Sequence, residues 1–594
     1  MREISLTTMR DAPQLTDGGQ RTPGAWQRLA PTEVVGSGTL AELDSYLAEP
    51  STIETLDELE LAEAYPRAVI AGLHSRGLAE LLVPENAIGL ELSALQSIIA
   101  RRNGSLAITV GVNVLALFPL YLAGTESQRQ KVAARLREGA FAALLLTELP
   151  NGSNLLRNEA SARADNGEYV VSGEKHLING GTEHALLMTL LRTRPTSAGK
   201  FLAGVHDFTL FLIERDSLVQ SLPRWRTLPG RSADISGVKF NQIRVPADAM
   251  IGREGQGFPI VQKTLMMTHG GIGALASGSV SGAFEIALCY ARTRDIYGQP
   301  IITLGAIGEH LVRMAALDVV VGAAAVKAGY AANCLGPSGS YFTAVAKYAC
   351  CGLAEKAVGE GRLVLGARAL LEDLPYARFV RDVTLYGVFD GTSHVMLDLI
   401  ATQMTRPAPD KAATTVEMTR RMFATPPQRI TEIGRRAWEP CAPPLAARCR
   451  DLAAASGAAQ VAALASLADG LAAVTAAARA AGCWEADQAL RFQAAGTLAD
   501  LEALLAACEL VLPECRAVLA ISSHAADADV AAVEFAVSWL GTRAAFRLRD
   551  IADMVGSREA RHAAAAVEPP GGRLPARDRL REMLSAGTWP ARTA

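Results

Sequence analysis

The feature that most restricts the fold is a change of hydrophobic period that begins near residue 142 and ends near residue 252. Upstream, from Leu40 to about Leu145, apolar residues recur at helical spacing, as in LDELELAEAYPRAVIAGLHSRGL, with breaks at Pro84, Gly89, Gly124 and Gly139. Inside the window the runs are short and β-rich: AALLLTE, then EYVVSGEKHLING, then FTLFLIER and VKFNQIRVP. EYVVSGEKHLING reads as a strand, a Gly turn and a second strand. Helical spacing returns at Gly257 and continues to about Met404. Strands gathered in one block, rather than alternating with helices, exclude a doubly wound α/β fold. The expected class is mainly α with a central β domain.

At 594 residues the chain is long enough for several domains. The reading divides it into an irregular leader (1–39), an N-terminal helical domain (40–141) and a middle β domain (142–254). A C-terminal helical domain (255–405), a Pro-containing linker RPAPDK (406–411) and an additional Ala-rich helical domain (412–594) follow. Those Ala runs keep no fixed repeat period. Lys and Arg number 58 against 61 Asp and Glu, so no global field draws the chain to nucleic acid. Apolar windows such as 315–332 are broken by charge (Asp318, Lys327), and no transmembrane span is expected. Nine cysteines without C-x-x-C spacing point to a reduced, cytoplasmic setting.

The nine histidines never pair with Cys or carboxylates at metal-site spacing, and no phosphate loop or nucleophile elbow occurs. Gly271-Ile-Gly273-Ala-Leu-Ala276 formally matches a dinucleotide fingerprint, but it lies in a helical pattern and reads as close helix packing. Chemistry is suggested instead by PYARFVRDVTLYGVFDGTSHVMLDLIA (375–401). Val395, Leu399 and Ile400 fall on one helical face, which puts Asp390-Gly391-Thr392-Ser393 at a helix start as turn and cap. Asp390, flanked by Tyr386, Val388 and Phe389, is a candidate general base whose pKa burial would raise. Arg378, Arg381 and Asp382 read as structural.

Four segments, LLLTELPNGSN (144–154), GEKHLING (173–180), YARTRDIYGQPI (290–301) and PYARFVRDVTLYGVFDGTSHVM (375–396), together resemble the acyl-CoA dehydrogenase family over roughly residues 40–405. The resemblance implies a helical domain, a β-barrel-like domain and a four-helix domain holding FAD, and an extension that takes the place of a second dimer. It puts Thr147, Ile178 and Asn179 beside the flavin and Ser153 at the FAD diphosphate and substrate. Thr392 and His394 fall on the FAD segment, Gly391 and His269 at the substrate, and Asp390 on the catalytic carboxylate. Arg294 and Tyr297 match residues that reach a neighbouring subunit's FAD, implying a homodimer.

Several positions depart from the family pattern. Asp390 stands where the family has Glu, one methylene shorter, and Thr268 occupies the alternative base position. His269 replaces an Arg, Leu177 a Trp over the flavin, Asn179 a Thr, and Gly305 and Leu363 two Gln. The implied activity is introduction of an α,β double bond into an acyl thioester carried on CoA or carrier protein. Asp390 would take the α-proton and hydride would pass to flavin N5. Electrons would go on to an electron-transfer flavoprotein or to O2. The rival readings are a flavin oxidase of the same fold, similar to nitroalkane-oxidising relatives, and a non-catalytic scaffold or nucleic-acid-associated member.

Overall fold

The computed structural model describes residues 23–31, 38–195, 201–372, 375–405, 415–425, 428–433 and 444–589. The expected linker 406–411 and most of the leader lie outside the described residues. Two N-terminal helices matter most for the site: α1 (Gly89–Ala100), nearly all buried, and α2 (Gly104–Ala123). Asn103 caps α2 by accepting a hydrogen bond from the backbone N–H of Leu106 at 2.8 Å, which satisfies one of the orphan donors of a helix start.

The middle of the chain forms an eight-stranded sheet: β1 (Ala142–Leu145), β2 (Ser161–Asp165), β3 (Glu168–Asn179), β4 (Leu186–Arg192), β5 (Phe208–Glu214), β6 (Gln220–Leu222), β7 (Ile235–Pro246) and β8 (Met250–Ile251). The order is β6-β7-β3-β2-β4-β5-β8, with β1 beside β4 in parallel. Val171, Phe211, Val238 and Phe240 lie in its own hydrophobic core. The Gly173 turn expected in EYVVSGEKHLING is absent. The chain continues as the single strand β3, paired along both halves with β7, and Gly173 marks a register shift. A Cβ there would stand 2.5 Å from the Cβ of Ala160, so close approach is what requires glycine. A second irregularity between His176 and Ile178 turns Leu177 into the left-handed region, φ +55°.

Helices resume with α3 (Gly257–Thr293), α4 (Gly305–Leu335), α5 (Ser340–Leu365), α6 (Pro375–Tyr386) and α7 (Ser393–Met404). The glycine-rich run belongs to α3, as expected. A Cβ on Gly273 would meet Ala346 at 3.5 Å and Ala325 at 3.6 Å. On α7 the buried face is Met396, Leu397, Ile400 and Ala401, whereas Val395 is exposed. The expected stripe through Val395 is therefore rotated by about one residue.

Beyond residue 444 the helix Gln488–Val511 packs on α4, α5 and α7, and Asp527–Val555 packs on α4. Buried ions hold these helices to the core. Lys327 pairs with Glu509, and Arg448 with Glu502, which also accepts from Tyr341 at 2.6 Å. Arg28 bridges Asp318 at 3.3 Å and Asp529 at 2.9 Å. Arg28 lies in the buried helical segment Ala25–Leu29, so this part of the leader is not irregular as expected. The burial of Trp26 and the twofold pairing of Arg28 explain its order. Charge does not break every apolar window either. Gly104–Ala123, Gly257–Thr293 and Ala459–Ala480 are long and apolar enough to cross a membrane. In α3, 89 % of that window is buried within the fold, where the apolar character serves packing.

Breaking one buried pair strands its partner ion. Lys327→Met is expected to lower stability by about 3–5 kcal/mol in urea unfolding, and the double change Lys327→Met/Glu509→Met to recover most of that loss. Equal losses for single and double variants would contradict this account of the pair.

Candidate active site

The loop between α6 and α7 turns back on itself. Ser393 N–H donates to Gly387 O at 2.9 Å, and Thr392 stands at the N-cap of α7. The Thr392 side chain makes no capping bond, so the expected polar cap is confined to backbone geometry. Within the loop Asp390 has φ +54° and Gly391 φ +87°. Asp is one of the few non-glycine types that enter the left-handed region readily. Its backbone is held there from outside the loop. His269 Nε2, 3.1 Å away, and Lys347 Nζ both donate to the Asp390 carbonyl, and Lys347 also donates to Phe389 O at 2.7 Å.

Donation to a carbonyl fixes the proton of His269 on Nε2. Burial, followed by the nearby Lys347 cation, keeps this imidazole neutral with a pKa well below 6.5. Burial also lowers the Lys347 pKa, against the pull of Asp390. His269 thus clamps the Asp390 backbone, a role not expected from sequence, and Lys347 is a site residue that sequence reasoning missed. Nothing in the local pattern around Lys347 marks it. Its signal is a lysine on the buried face of a helix, where an unpaired cation is costly.

The Asp390 carboxylate makes no hydrogen bond among the described residues. Burial pushes its pKa above the usual aspartate value, and the Lys347 charge opposes that rise. It lines a cleft between α1, α2, α3 and α4, whose walls include Leu92, Ile108, Leu115, Phe118 and Ile272. Polar groups in these walls are satisfied internally. Ser93 Oγ donates to Gly89 O at 3.0 Å and Thr268 Oγ1 to Thr264 O at 3.1 Å. With its amide turned to suit both neighbours, Gln96 bonds Ala107 O and Gly111 N. The space therefore presents hydrocarbon, with one ionisable group at its edge.

Thr147, Ile178 and Asn179 gather at one end of β3. Thr147 follows β1, and its carbonyl accepts from His176 N–H at 2.9 Å. Leu149 and Leu177 are about half exposed (55 % and 53 %). Trp225, 46 % exposed, is tied by its N–H to Ile235 O at 2.7 Å, and Ile235 faces Asn179 across the ladder. Asn179 is buried, with neither amide oxygen nor nitrogen partnered. An unpartnered amide beside exposed apolar side chains fits the polar edge and flat faces of a flavin. The Ile178 side chain is part of the sheet core, which leaves its backbone to meet a cofactor. Ser153 is exposed, and His394, also exposed, lies 5.8 Å from the ring of Phe492 in the added helices.

Arg294 and Tyr297 are not brought to this cleft. Tyr297 and Gly298, both with positive φ, form the tip of a hairpin just past α3, and Tyr297 is 91 % exposed. Arg294 lies about 39 Å along the helix direction from Thr268, taking 26 residues at 1.5 Å each. Gly305 sits under the added helix Arg573–Ala586, and a Cβ there would be 3.8 Å from Arg581.

Comparison with known proteins places this architecture. Residues 46–140, 143–243 and 255–405 match, in turn, the N-terminal, middle and C-terminal domains of acyl-CoA dehydrogenase. A probable acyl-CoA dehydrogenase of Mycobacterium leprae is 27 % identical over 365 residues, spanning 58 % of this chain and 91 % of that protein. Among solved structures, an acyl-CoA dehydrogenase of Bacillus anthracis complexed with FAD superimposes with a TM-score of 0.74 at 18 % identity, over 95 % of this chain and 97 % of that one. The prolyl acyl carrier protein oxidase AnaB superimposes with a TM-score of 0.57 at 21 % identity, over 62 % and 98 %. The chain belongs to the acyl-CoA dehydrogenase family. It is, by that membership, an FAD-dependent oxidoreductase, and the fold including its C-terminal helices is shared with a solved structure.

The left-handed backbone at Asp390 predicts a selective tolerance. Asp390→Asn should leave the unfolding midpoint nearly unchanged, because Asn enters this region as readily, whereas Asp390→Val should cost about 1–2 kcal/mol in chemical denaturation. Equal stability of the two variants would show that the loop adapts freely.

Proposed function

We propose that the protein introduces an α,β double bond into an acyl thioester, with Asp390 as the general base. The observation that carries this is a carboxylate without a hydrogen-bond partner, raised in pKa, at the edge of an apolar cleft. A thioester α-proton is weakly acidic, and its removal needs a base whose pKa approaches the working pH. The desolvated carboxylate meets that need, and the acyl chain fills the hydrocarbon walls. Thr268 offers no second base, since its hydroxyl is turned into its own helix. Clamping by His269 and Lys347 fixes where the short Asp side chain starts, which offsets the methylene it lacks. FAD, when bound, supplies the two-electron acceptor for the hydride that leaves the β-carbon. Thr147, Asn179 and the backbone of Ile178 would hold its ring system, with Ser153, Thr392 and His394 along the rest of the molecule.

The proposed partners are CoA or a carrier protein on the substrate side and an electron-transfer flavoprotein on the other. Arg294 and Tyr297, far from the cleft of their own chain, would serve the cofactor of a second copy in a homodimer. A second reading, transfer of electrons to O2, is favoured by Leu177, which covers less of the flavin position than a Trp would. Hydrogen peroxide released in step with turnover, without added acceptor, would favour that reading.

Anaerobic mixing of the yellow holoenzyme with acyl-CoAs should bleach the flavin absorbance, and Asp390→Asn should slow bleaching by about 10²–10⁴-fold. Equal rates would remove Asp390 as the base. The rate should also fall as pH drops through the raised Asp390 pKa, because only the ionised form accepts a proton. Lys347→Met removes the charge that holds this pKa down, so the acid limb should move to higher pH. An unmoved limb would show that Lys347 acts on the backbone alone.

A further inference from the structure

One wall of the cleft comes from outside the three matched domains. Ile430, 1 % exposed, lines the cleft from the segment between α7 and the added helices. Its described residues 415–425 and 428–433 are fastened to the core at several points. Ile430 N–H donates to Ala87 O at 3.3 Å, and Arg429 bridges Ile88 in antiparallel register. With its amide turned to suit both groups, Asn333 donates to and accepts from the backbone of Gln428, each at 2.9 Å. Upstream, Met422 O accepts from Cys334 Sγ at 3.1 Å, and Phe423 packs on Tyr330 with ring centroids 4.9 Å apart.

Asp390 and Ile430 reach the same cleft from different elements. Asp390 enters from the side of His269 and Lys347. Ile430 enters from the side of Gly89 and Asn333, where a Cβ on Gly89 would lie 3.6 Å from the Asn333 side chain. On α3, His269 faces Asp390, while Met267, Thr268, Gly270 and Gly271 line the cleft. An acyl chain with its α-carbon at Asp390 would share this cleft with Ile430.

We propose that Ile430, carried on this strap, is a specificity-determining wall that sets the length of acyl chain the cleft accepts. The inference rests on the acyl-thioester reading above. It makes Ile430 part of the substrate site, with Asn333 and Ala87 as the positioning groups. The occupant is hydrocarbon, because the polar groups nearby are spent on one another.

The test uses the full-length holoenzyme and a ladder of straight-chain saturated acyl-CoAs, read by calorimetric binding and by turnover with a dye acceptor. Ile430→Ala should shift the binding preference to chains longer by one or two methylenes, changing the ratio of affinities between neighbouring lengths by about 10-fold. Ile430→Phe should shift it to shorter chains. FAD content and thermal midpoint verify that both variants are folded. If both variants scale all lengths equally, or shift in the same direction, the wall assignment is overturned. If binding shifts oppositely in the two variants but no acyl-CoA is turned over by the wild type, the wall stands and the proposed reaction falls.

Discussion

Two donors on one carbonyl oxygen define this site. Lys347 from α5 and His269 from α3 converge on the Asp390 carbonyl, at a residue whose φ of +54° lies outside the broad allowed regions for most side chains. A left-handed aspartate in a free loop would sample other wells. Here the carbonyl is fixed between two buried helices, so the carboxylate leaves the loop in one direction. The clamp also sets protonation. The lysine opposes the rise in Asp390 pKa that burial causes, and it suppresses protonation of the histidine beside it. Base strength and base position thus follow from one cluster.

The helix–sheet–helix order was legible because hydrophobic period changes only twice along the first 405 residues. Physical reasons account for where that reading failed. Gly173 suits a turn as well as a close approach, and only the neighbouring Ala160 distinguishes the two. Ala25–Leu29 was read as irregular because five residues are too few to show periodicity. Its order comes from Arg28 meeting Asp529, some 500 residues away. The Val395 stripe failed because α7 packs against added helices as well as the core.

At the site, the pattern around Asp390 alone suits an ordinary turn and cap, and the family resemblance is what singles it out as the base. The carbonyl clamp was not legible, since Lys347 lies 43 residues upstream on a helix with no local marker. His269 is expected at the substrate, and the structure shows it holding the Asp390 carbonyl. A side chain one position from the cleft-lining Thr268 points about 100° away from it around a helix, toward the Asp390 loop. Ile430 was missed for a different reason: it lies outside the region of family resemblance, yet the fold returns it to the cleft. The added helices are thus more than an appendix, because their buried ion pairs and their connecting strap bear on the four-helix domain.

The claim on which the account depends is that this clamped carboxylate takes the α-proton of an acyl thioester. It is tested most directly by incubating the holoenzyme with a saturated acyl-CoA in D2O under anaerobic conditions and following deuterium at Cα by NMR. The account predicts that the wild type incorporates deuterium at the α-carbon and that Asp390→Asn, folded and loaded with FAD, does not. Equal incorporation by both proteins would contradict it.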